Sequence, residues 1–577
     1  MQLQTSPYPQ HKNCTSANFK AIAEANLVQY EHLRNDDNVL AEHYWDEWIR
    51  YHTIATSLED EELRQSNTKR WKHLLEKDPR KLWKQLDWKG HPQTRPEEIP
   101  SETIYKFFSN IFQSPILSNK PTIASISDEI SNYNISSDII DNDIEMEEVD
   151  HAIKKLGTGS SFDGIAPGII SLLPKEMREC ILLLYQKIFD CYYPEQWRTQ
   201  LLIPFPKKGH TPLDPKLRGI GIGAILSRVY DIIVDRRFMR WYHPNPEQAG
   251  NREEQGCVIQ IFAFVILLCL AKELGKYLYV GLIDYEKAFD FVNRAELIQN
   301  MMQNNIGQRF LRNFTNIYRD TKYITKISDS RMGNEITTDH GVTQGKNSSG
   351  NVFSFFVSDM QSHMERLETN DFMDPMSLLQ LADDTSTIAD NLTSFINKML
   401  CLIQYSIQKH QKVNNGKTKY LHMCNSASFD DIQLDDHISI SSVLPKEGYI
   451  WLGFWLTPTE DLDKLLQFNL SKKMFVTCKF YSWLKMNEET PFKLKMKTLY
   501  CCMFESMIYS CEAWCDISGI VDKLLKVEKK ALKSILGVRK KGTPDDIIYH
   551  ELSRADIVAS IKERQSKFSK GPHTRTN

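Results

Sequence analysis

The chain has 577 residues, of which 41% are hydrophobic and 11% aromatic, and a formal net charge of −3. That is too long for one ordinary domain and apolar enough for several buried cores. The charge excludes a uniformly basic nucleic-acid sleeve, but it is split unevenly. From Asp461 to the end, 22 Lys and Arg face 14 Asp and Glu, so a polyanion would be met by the C-terminal portion.

Asn38 to Trp88 carries Trp, Leu, Lys and Glu at helical spacing, with Trp45, Trp48, Trp71, Trp83 and Trp88 as candidate anchors, and shows no chemistry. Pro121 to Asp150 holds nine acidic residues and no Lys, Arg or His, which predicts a solvated linker. Met146 to Leu156 predicts a helix stopped by Gly157-Thr158-Gly159. That cluster lacks the Gly-Lys-Ser/Thr ending of a phosphate-cradling loop. Val258 to Ala271 is the longest nearly apolar run. At 14 residues it is too short to span a bilayer and predicts a buried helix and no membrane partner.

No N-terminal secretory pattern is visible and the twelve cysteines have no short-spaced framework, which predicts an intracellular, reducing location. Cys501, Cys502, Cys511 and Cys515 lack a paired Cys/His spacing, so no structural zinc is expected.

Chemistry enters with two apolar, β-prone segments that deliver carboxylates. Tyr279-Val280-Gly281-Leu282-Ile283 ends in Asp284; alone, this also describes a strand closed by a capping Asp. Leu379-Gln380-Leu381-Ala382 leads to Asp383-Asp384 and then Thr385-Ser386-Thr387-Ile388, as a hairpin with acids at its tip would. Adjacent like charges are costly unless a cation lies between them, and Mg²⁺ takes oxygen ligands of this kind, although an Asp-rich surface turn has the same sequence.

In this order the two segments resemble motifs A and C of reverse transcriptases, of the kind carried by non-LTR (LINE-type) retrotransposons. Pro206-Lys207-Lys208-Gly209 and Leu217-Arg218-Gly219-Ile220 resemble fingers elements. Gln248-Ala249-Gly250 resembles the segment leading into motif A. Gly341-Val342-Thr343-Gln344-Gly345 is similar to motif B, Asn414 to Lys419 to motif D, Tyr449-Ile450-Trp451-Leu452-Gly453 to the primer grip, and Tyr509 to Trp514 to a LINE-type thumb signature. The likeness runs from about Val149 to Leu552. It departs from the family pattern at Phe162, Gly219, Lys346, Gly350 and Leu381.

The resemblance implies an RNA-directed DNA polymerase that adds deoxynucleotides to a primer 3′-hydroxyl with two Mg²⁺ ions, replaceable by Mn²⁺. Asp284, Asp383 and Asp384 would be the metal ligands and Lys417 the acid for pyrophosphate. Lys207, Lys208, Arg218, Phe289, Gln344 and Gly345 would bind the nucleotide. Trp451, Leu452 and Gly453 would grip the primer, and Lys493, Lys495 and Lys497 would track the nucleic-acid backbone. The partners it implies are an RNA template, a DNA primer and deoxynucleoside triphosphates, with action on chromosomal DNA in the nucleus and assembly with template RNA in the cytoplasm. No motif speaks to oligomeric state.

The implied fold is α+β, a right-hand polymerase with fingers and a ferredoxin-like palm over 149–456. A helical basic thumb follows over 457–552. A helical N-terminal extension covers 1–120, the acidic linker 121–148, and a polar, disordered tail 553–577. The stretch before the first fingers motif shows no metal-nuclease constellation, so the chain reads as the polymerase region of a longer element, or a truncated or domesticated copy. A group II intron-type maturase and an inactive RNA-binding scaffold are the alternatives. The thumb signature counts against the first and the three carboxylates against the second.

Overall fold

The computed structural model describes residues 15–33, 38–77, 99–113, 120–159, 161–190, 192–207, 216–252, 255–326, 332–367, 371–424, 430–435, 438–514, 518–538, 544, 547–549, 552 and 556–569. The chain divides into two compact units. One comprises 91–472, 509–523 and 557–577; the other comprises 1–90, 473–508 and 524–556.

At the centre of the larger unit lies β3 (Leu278–Ile283), a run whose residues are nearly all buried, as a strand covered on both faces must be. It pairs antiparallel on one side with β7 (Asp384–Ala389) and on the other with β8 (Lys419–Met423). Beyond β7 lies β6 (Leu378–Leu381), and beyond β8 lie β10 (Ser439–Ser442) and β9 (Ile432–Gln433), giving the order β6-β7-β3-β8-β10-β9. Helix Leu392–Gln408 connects β7 to β8 and buries Phe395, Met399 and Leu402 against this sheet's core. Helix Cys257–Glu273 buries Ile261, Phe264, Val265, Leu267 and Leu268, as its apolar run predicts.

A second sheet, ordered β2-β1-β4-β5, is built from β1 (Thr199–Pro206), β2 (Leu217–Ile222), β4 (Thr321–Lys326) and β5 (Met332–Thr338). It carries its own core, in which Ile104, Phe108, Ile111 and Phe112 of helix Ser101–Phe112 meet Leu202, Leu217, Tyr323 and Ile336. That helix is therefore part of the sheet body and not of an N-terminal extension reaching residue 120. A short hairpin, β11 (Tyr449–Trp451) and β12 (Phe454–Leu456), follows the large sheet.

Two expectations are corrected. The acidic stretch 121–148 is no solvated linker, because Ile123, Ile126, Ile130, Ile140 and Ile144 are buried in the main core. Its charges and carbonyls are held by distant arginines: Arg237 donates to Glu148 and to the Ile140, Asn142 and Asp143 carbonyls, and Arg309 to Asp143 and the Asp141 carbonyl. The tail is not disordered throughout. Ile557–Ser569 is a helix with Ile557 and Ile561 buried, and Gln565 donates to the Cys511 and Trp514 carbonyls at 3.1 and 2.8 Å. Residues 570–577 lie outside the described ones.

The smaller unit is helical where described. Helices Ser16–Leu33 and Asn38–Lys77 pair, with the Tyr30 ring tilted on Trp45 at 4.8 Å and Trp45 stacked on Trp48 at 4.7 Å. The side chain of Trp71 and residues Trp83 and Trp88 lie outside the described parts. The expected thumb, 457–552, is helical but divided: Leu462–Lys473 falls almost wholly with the sheet body, while Phe475–Met486, Phe492–Thr498 and most of Ser518–Leu536 fall in the smaller unit. No described helix is long and apolar enough to cross a membrane.

Candidate active site

Strand register brings the carboxylates together. Ile283 pairs with Thr385, so one step further along the antiparallel ladder Asp284 stands across from Asp384. Leu381 pairs with Asp384, leaving Ala382 and Asp383 as a two-residue turn at the hairpin tip. The loop 414–418 lies on the other flank of Asp284. The Asn414 amide donates to the Asp284 carbonyl at 2.8 Å, the Asp284 amide donates to Thr418 Oγ1 at 3.2 Å, and Lys417 Nζ lies 3.2 Å from Asp284 Oδ2.

The electrostatics are those of crowded negative charge. Burial first, then the charges of Asp383 and Asp284, push the Asp384 carboxyl up to about 6. Solvent touches Asp384 at the tip, yet the surrounding protein is dense enough for burial to lead. Asp383 is also raised, chiefly by burial with Asp284 adding, while Arg218 and Lys207 oppose. Burial, with Arg218 and Lys417 adding, pulls Lys207 down, against the pull of Asp290 and Asp284. Lys207, Arg218 and Lys417 are thus coupled electrostatically to the acids, Lys417 by direct contact with Asp284. Lys208 lies outside the described residues.

The segment that resembles motif B is bonded to the turn after Asp284 and to β2. The Val342 amide donates to the Phe289 carbonyl and Gly341 to Val292, both at 2.8 Å, tying motif B to the 288–291 turn. Phe289 is half-buried, its ring stacked on Phe353 at 4.7 Å and 20°. The Gly221 amide of β2 donates to the Gln344 carbonyl at 2.7 Å. Gly345 has φ 111°, and a Cβ there would stand 2.6 Å from the Gly221 carbonyl oxygen, so only glycine allows this approach.

The β11–β12 turn places Leu452 and Gly453 at φ 51° and 79°, the paired left-handed residues of a tight hairpin. Trp451 beneath it is buried edge-on against Phe264 at 5.7 Å. Tyr449 reaches the acids: burial and then Asp284 and Asp384 push its phenol up to about 12, and its hydroxyl donates to the Lys417 carbonyl. Tyr509 donates to the Leu452 carbonyl at 2.9 Å and props the turn. Lys493, Lys495 and Lys497 belong to the other compact unit, where Lys493 and Lys497 are exposed and Lys495 donates to the Glu488 carbonyl.

Sequence reasoning missed Asp290 and Lys287. Burial raises the Asp290 carboxyl to about 6 and lowers Lys287 to about 8, each opposed by the other's charge, and Lys287 lies 4.5 Å above the Phe107 ring. Both flank Phe289 in sequence, which was the available signal. Tyr449 and Tyr509 stand in the sequence only as letters of the primer-grip-like and thumb-like motifs.

The family described as reverse transcriptase (RNA-dependent DNA polymerase) matches residues 205–456. The RNA-directed DNA polymerase from mobile element jockey of Drosophila melanogaster is 24% identical over 258 residues, 42% of this chain and 27% of that protein. An uncharacterised 149 kDa protein of transposon TX1 from Xenopus laevis is 24% identical over 40% of this chain and 18% of its own length. The Pol polyprotein of the type-1 retrotransposable element R2 from Bradysia coprophila is 28% identical over 17% of this chain and 12% of its own. The chain thus spans little more than a quarter of these relatives at most. Telomerase from Candida albicans, solved with a fragment of telomeric RNA, is similar at TM-score 0.38 and 13% identity over 68% of this chain and 69% of that one. The fold is a right-hand polymerase of the α+β class. With its carboxylates at the end of β3 and the tip of the β6–β7 hairpin, the 205–456 region matches the reverse transcriptase family and is similar to proteins of the mobile elements jockey, TX1 and R2.

Proposed function

We propose that the chain is an RNA-directed DNA polymerase, extending a DNA primer on an RNA template with deoxynucleoside triphosphates. The observation that carries this reading is the register that sets Asp284 across from Asp384, with Asp383 beside it and Lys207, Arg218 and Lys417 coupled electrostatically to them. In this reading the large sheet is the palm. Its strands β3, β6, β7 and β8 lie in the order β6-β7-β3-β8, all antiparallel, with helices after β3 and after β7, which is ferredoxin-like. The four-stranded sheet serves as fingers, and the helices from Leu462 on as thumb.

The donor set fits a divalent cation. Burial and mutual repulsion raise Asp383 and Asp384, so both would gain from a cation, and Lys417 already sets a positive charge against Asp284. Among the described residues no three acidic, His or Cys side chains close around an ion by themselves. Mg²⁺ keeps waters and substrate oxygens alongside one or two carboxylates. Asp284, Asp383 and Asp384 would hold two such ions, Mg²⁺ or in its place Mn²⁺. When bound, these supply a more acidic primer hydroxyl and compensation for charge on the leaving pyrophosphate.

The chain's own groups do the rest. Lys207 and Arg218 bind the triphosphate, and Gln344 and Gly345 shape the nucleotide pocket. Lys417, on the rim, donates a proton to pyrophosphate. Trp451, Leu452 and Gly453 seat the primer end. The test is primer extension by the purified chain on a homopolymeric RNA template with Mg²⁺. Asp383→Asn and Asp284→Asn should each slow extension on the order of a thousandfold. Either variant extending at more than about a tenth of the wild-type rate removes the metal-ligand assignment.

A further inference from the structure

A two-residue hairpin turn with positive φ at its first central position normally takes glycine there. At the carboxylate hairpin that position is Ala382, with φ 56°, a left-handed conformation that an L side chain seldom holds unaided. The aid comes from Gln248, which lies 134 positions earlier and is 3% exposed. Its Oε1 accepts the Ala382 amide at 2.8 Å, and its Nε2 donates to the Ala382 carbonyl at 3.3 Å. One buried side chain thus pairs with both peptide groups of a single residue, as a neighbouring strand would.

The surrounding backbone fixes this amide in turn. Gln248 Oε1 also accepts the Gly250 amide at 2.8 Å, the Ala249 amide donates to the Gln380 carbonyl at 2.9 Å, and the Gln380 amide donates to the Glu247 carbonyl at 3.0 Å. From helix Cys257–Glu273, Gln260 donates to both the Glu247 and Gln380 carbonyls, at 2.8 and 3.1 Å. Gly250 makes the approach possible, since a Cβ there would stand 2.4 Å from the Ala382 nitrogen. The ladder ends at the Leu381–Asp384 pair, so the clamp acts where strand pairing no longer does.

We propose that Gln248 is a positioning residue for the polymerase reaction: it holds Ala382 left-handed and so fixes where the Asp383 and Asp384 carboxylates point. The inference rests on the polymerase reading for its catalytic consequence. Outer-shell groups that orient metal-binding side chains are worth about 10–100-fold in metal affinity or activity when removed.

The test compares the full chain with Gln248→Ala, Gln248→Glu, and Gln248→Ala combined with Ala382→Gly. Glycine adopts the left-handed conformation without help, so it makes the clamp unnecessary. Gln248→Ala should lower kcat by about 10–100-fold per folded molecule with the deoxynucleotide KM little changed, and Ala382→Gly in that background should recover most of the loss. Gln248→Glu keeps the acceptor but sets an oxygen against the Ala382 carbonyl, and it carries the same expectation if Gln248→Ala does not fold. A group that merely stabilised the fold would lower the melting temperature and leave kcat of the folded enzyme in place.

Mn²⁺ binding followed by electron paramagnetic resonance, without nucleic acid, should weaken in Gln248→Ala and return with the glycine. A kcat within about twofold of wild type overturns the inference, as does a loss that glycine does not repair. Failure of the wild type to extend any primer would instead remove the polymerase reading, and the Mn²⁺ titrations would still decide the clamp.

Discussion

Phe289→Val asks whether a ring guards the sugar of the incoming nucleotide. Phe289 follows Asp284 by five positions, at the 288–291 turn that motif B grips through the Phe289 carbonyl. Its ring is stacked on Phe353, which is 1% exposed and cannot yield, so the half-buried face of Phe289 is held rigid. A ribose 2′-hydroxyl pressed on such a face meets carbon at contact distance and finds no hydrogen-bond partner. Excluding one small group in this way is worth about 1–3 kcal/mol, or roughly tenfold to 200-fold in relative kcat/KM.

Valine removes the ring and its stacking, which contributes about 0.5–1.5 kcal/mol beyond the buried area. Complete loss of a buried aromatic costs about 3–5 kcal/mol. Phe289 is only partly buried and valine fills part of the space, so the fold should lose less than that. The assay is single-nucleotide insertion on one RNA–DNA duplex, with ribo- and deoxynucleoside triphosphates in parallel and a melting curve beside it. Ribonucleotide use should rise at least about tenfold relative to deoxynucleotide use. A variant that melts earlier but keeps the wild-type ratio would show Phe289 to be a packing residue, and the sugar-gate reasoning would fall.

Acidification should quench the rate as pH falls through about 6, because the Asp384 carboxyl titrates there and Asp383 is raised as well. Higher Mg²⁺ should shift that limb to lower pH, since metal and protons compete for the same oxygens; a limb indifferent to Mg²⁺ would contradict this. Stability moves the other way. The folded Asp384 holds its proton more tightly than the ordinary value of 3.8, so its contribution to stability rises as pH falls from about 6 towards that value, as urea titration across the window can verify. Removing Lys493 and Lys497 together should weaken template-primer binding and reduce the log-log salt slope by roughly 0.7 to 0.9 for every phosphate left unneutralised, and an unchanged slope would take the backbone role from them. Arg294→Met should destabilise the sheet body by about 3 kcal/mol, because buried Arg294 donates to the Gly341, Tyr318 and Thr338 carbonyls and each would lose that bond, the Tyr318 carbonyl keeping Thr321 Oγ1, which thermal or urea unfolding would measure.

What was legible in the sequence follows from how far each signal reaches along the chain. Asp284, Asp383 and Asp384 announce themselves because a β-prone run ending in acid is a local pattern, and Val258 to Ala271 reads as a buried helix for the same reason. The 121–148 stretch misleads because charge counting is blind to Arg237 and Arg309, which arrive from far along the chain, and because its isoleucines are spaced irregularly between acids. Ser101–Phe112 carries a clear apolar stripe, but nothing local says that its cover is the four-stranded sheet. The tail looks polar because its helix buries only Ile557 and Ile561 and is fixed by Gln565, a residue of no distinctive pattern. Gln248 escaped for the same cause: an amide becomes a clamp only when a left-handed alanine is folded against it.

Four of the five departures from the family pattern have neighbours that suit the residue present. Phe162 stands where the pattern has proline, and its amide donates to the Gly223 carbonyl at 3.1 Å, a bond that proline could not make. Gly219 also replaces proline, and a Cβ there would lie 2.7 Å from Leu202 and 2.8 Å from Phe108, a ring supplied by the helix that covers this sheet. Lys346 is half-buried, and although burial lowers its ammonium against the pull of Asp231, it lies 5.1 Å above the Tyr318 ring. Gly350 leaves room for Asn251, whose side chain would be 2.4 Å from any Cβ at that position. These four fitted sites belong to a domain in which Asp284 stands across from Asp384, with Asp383 in the turn beside them.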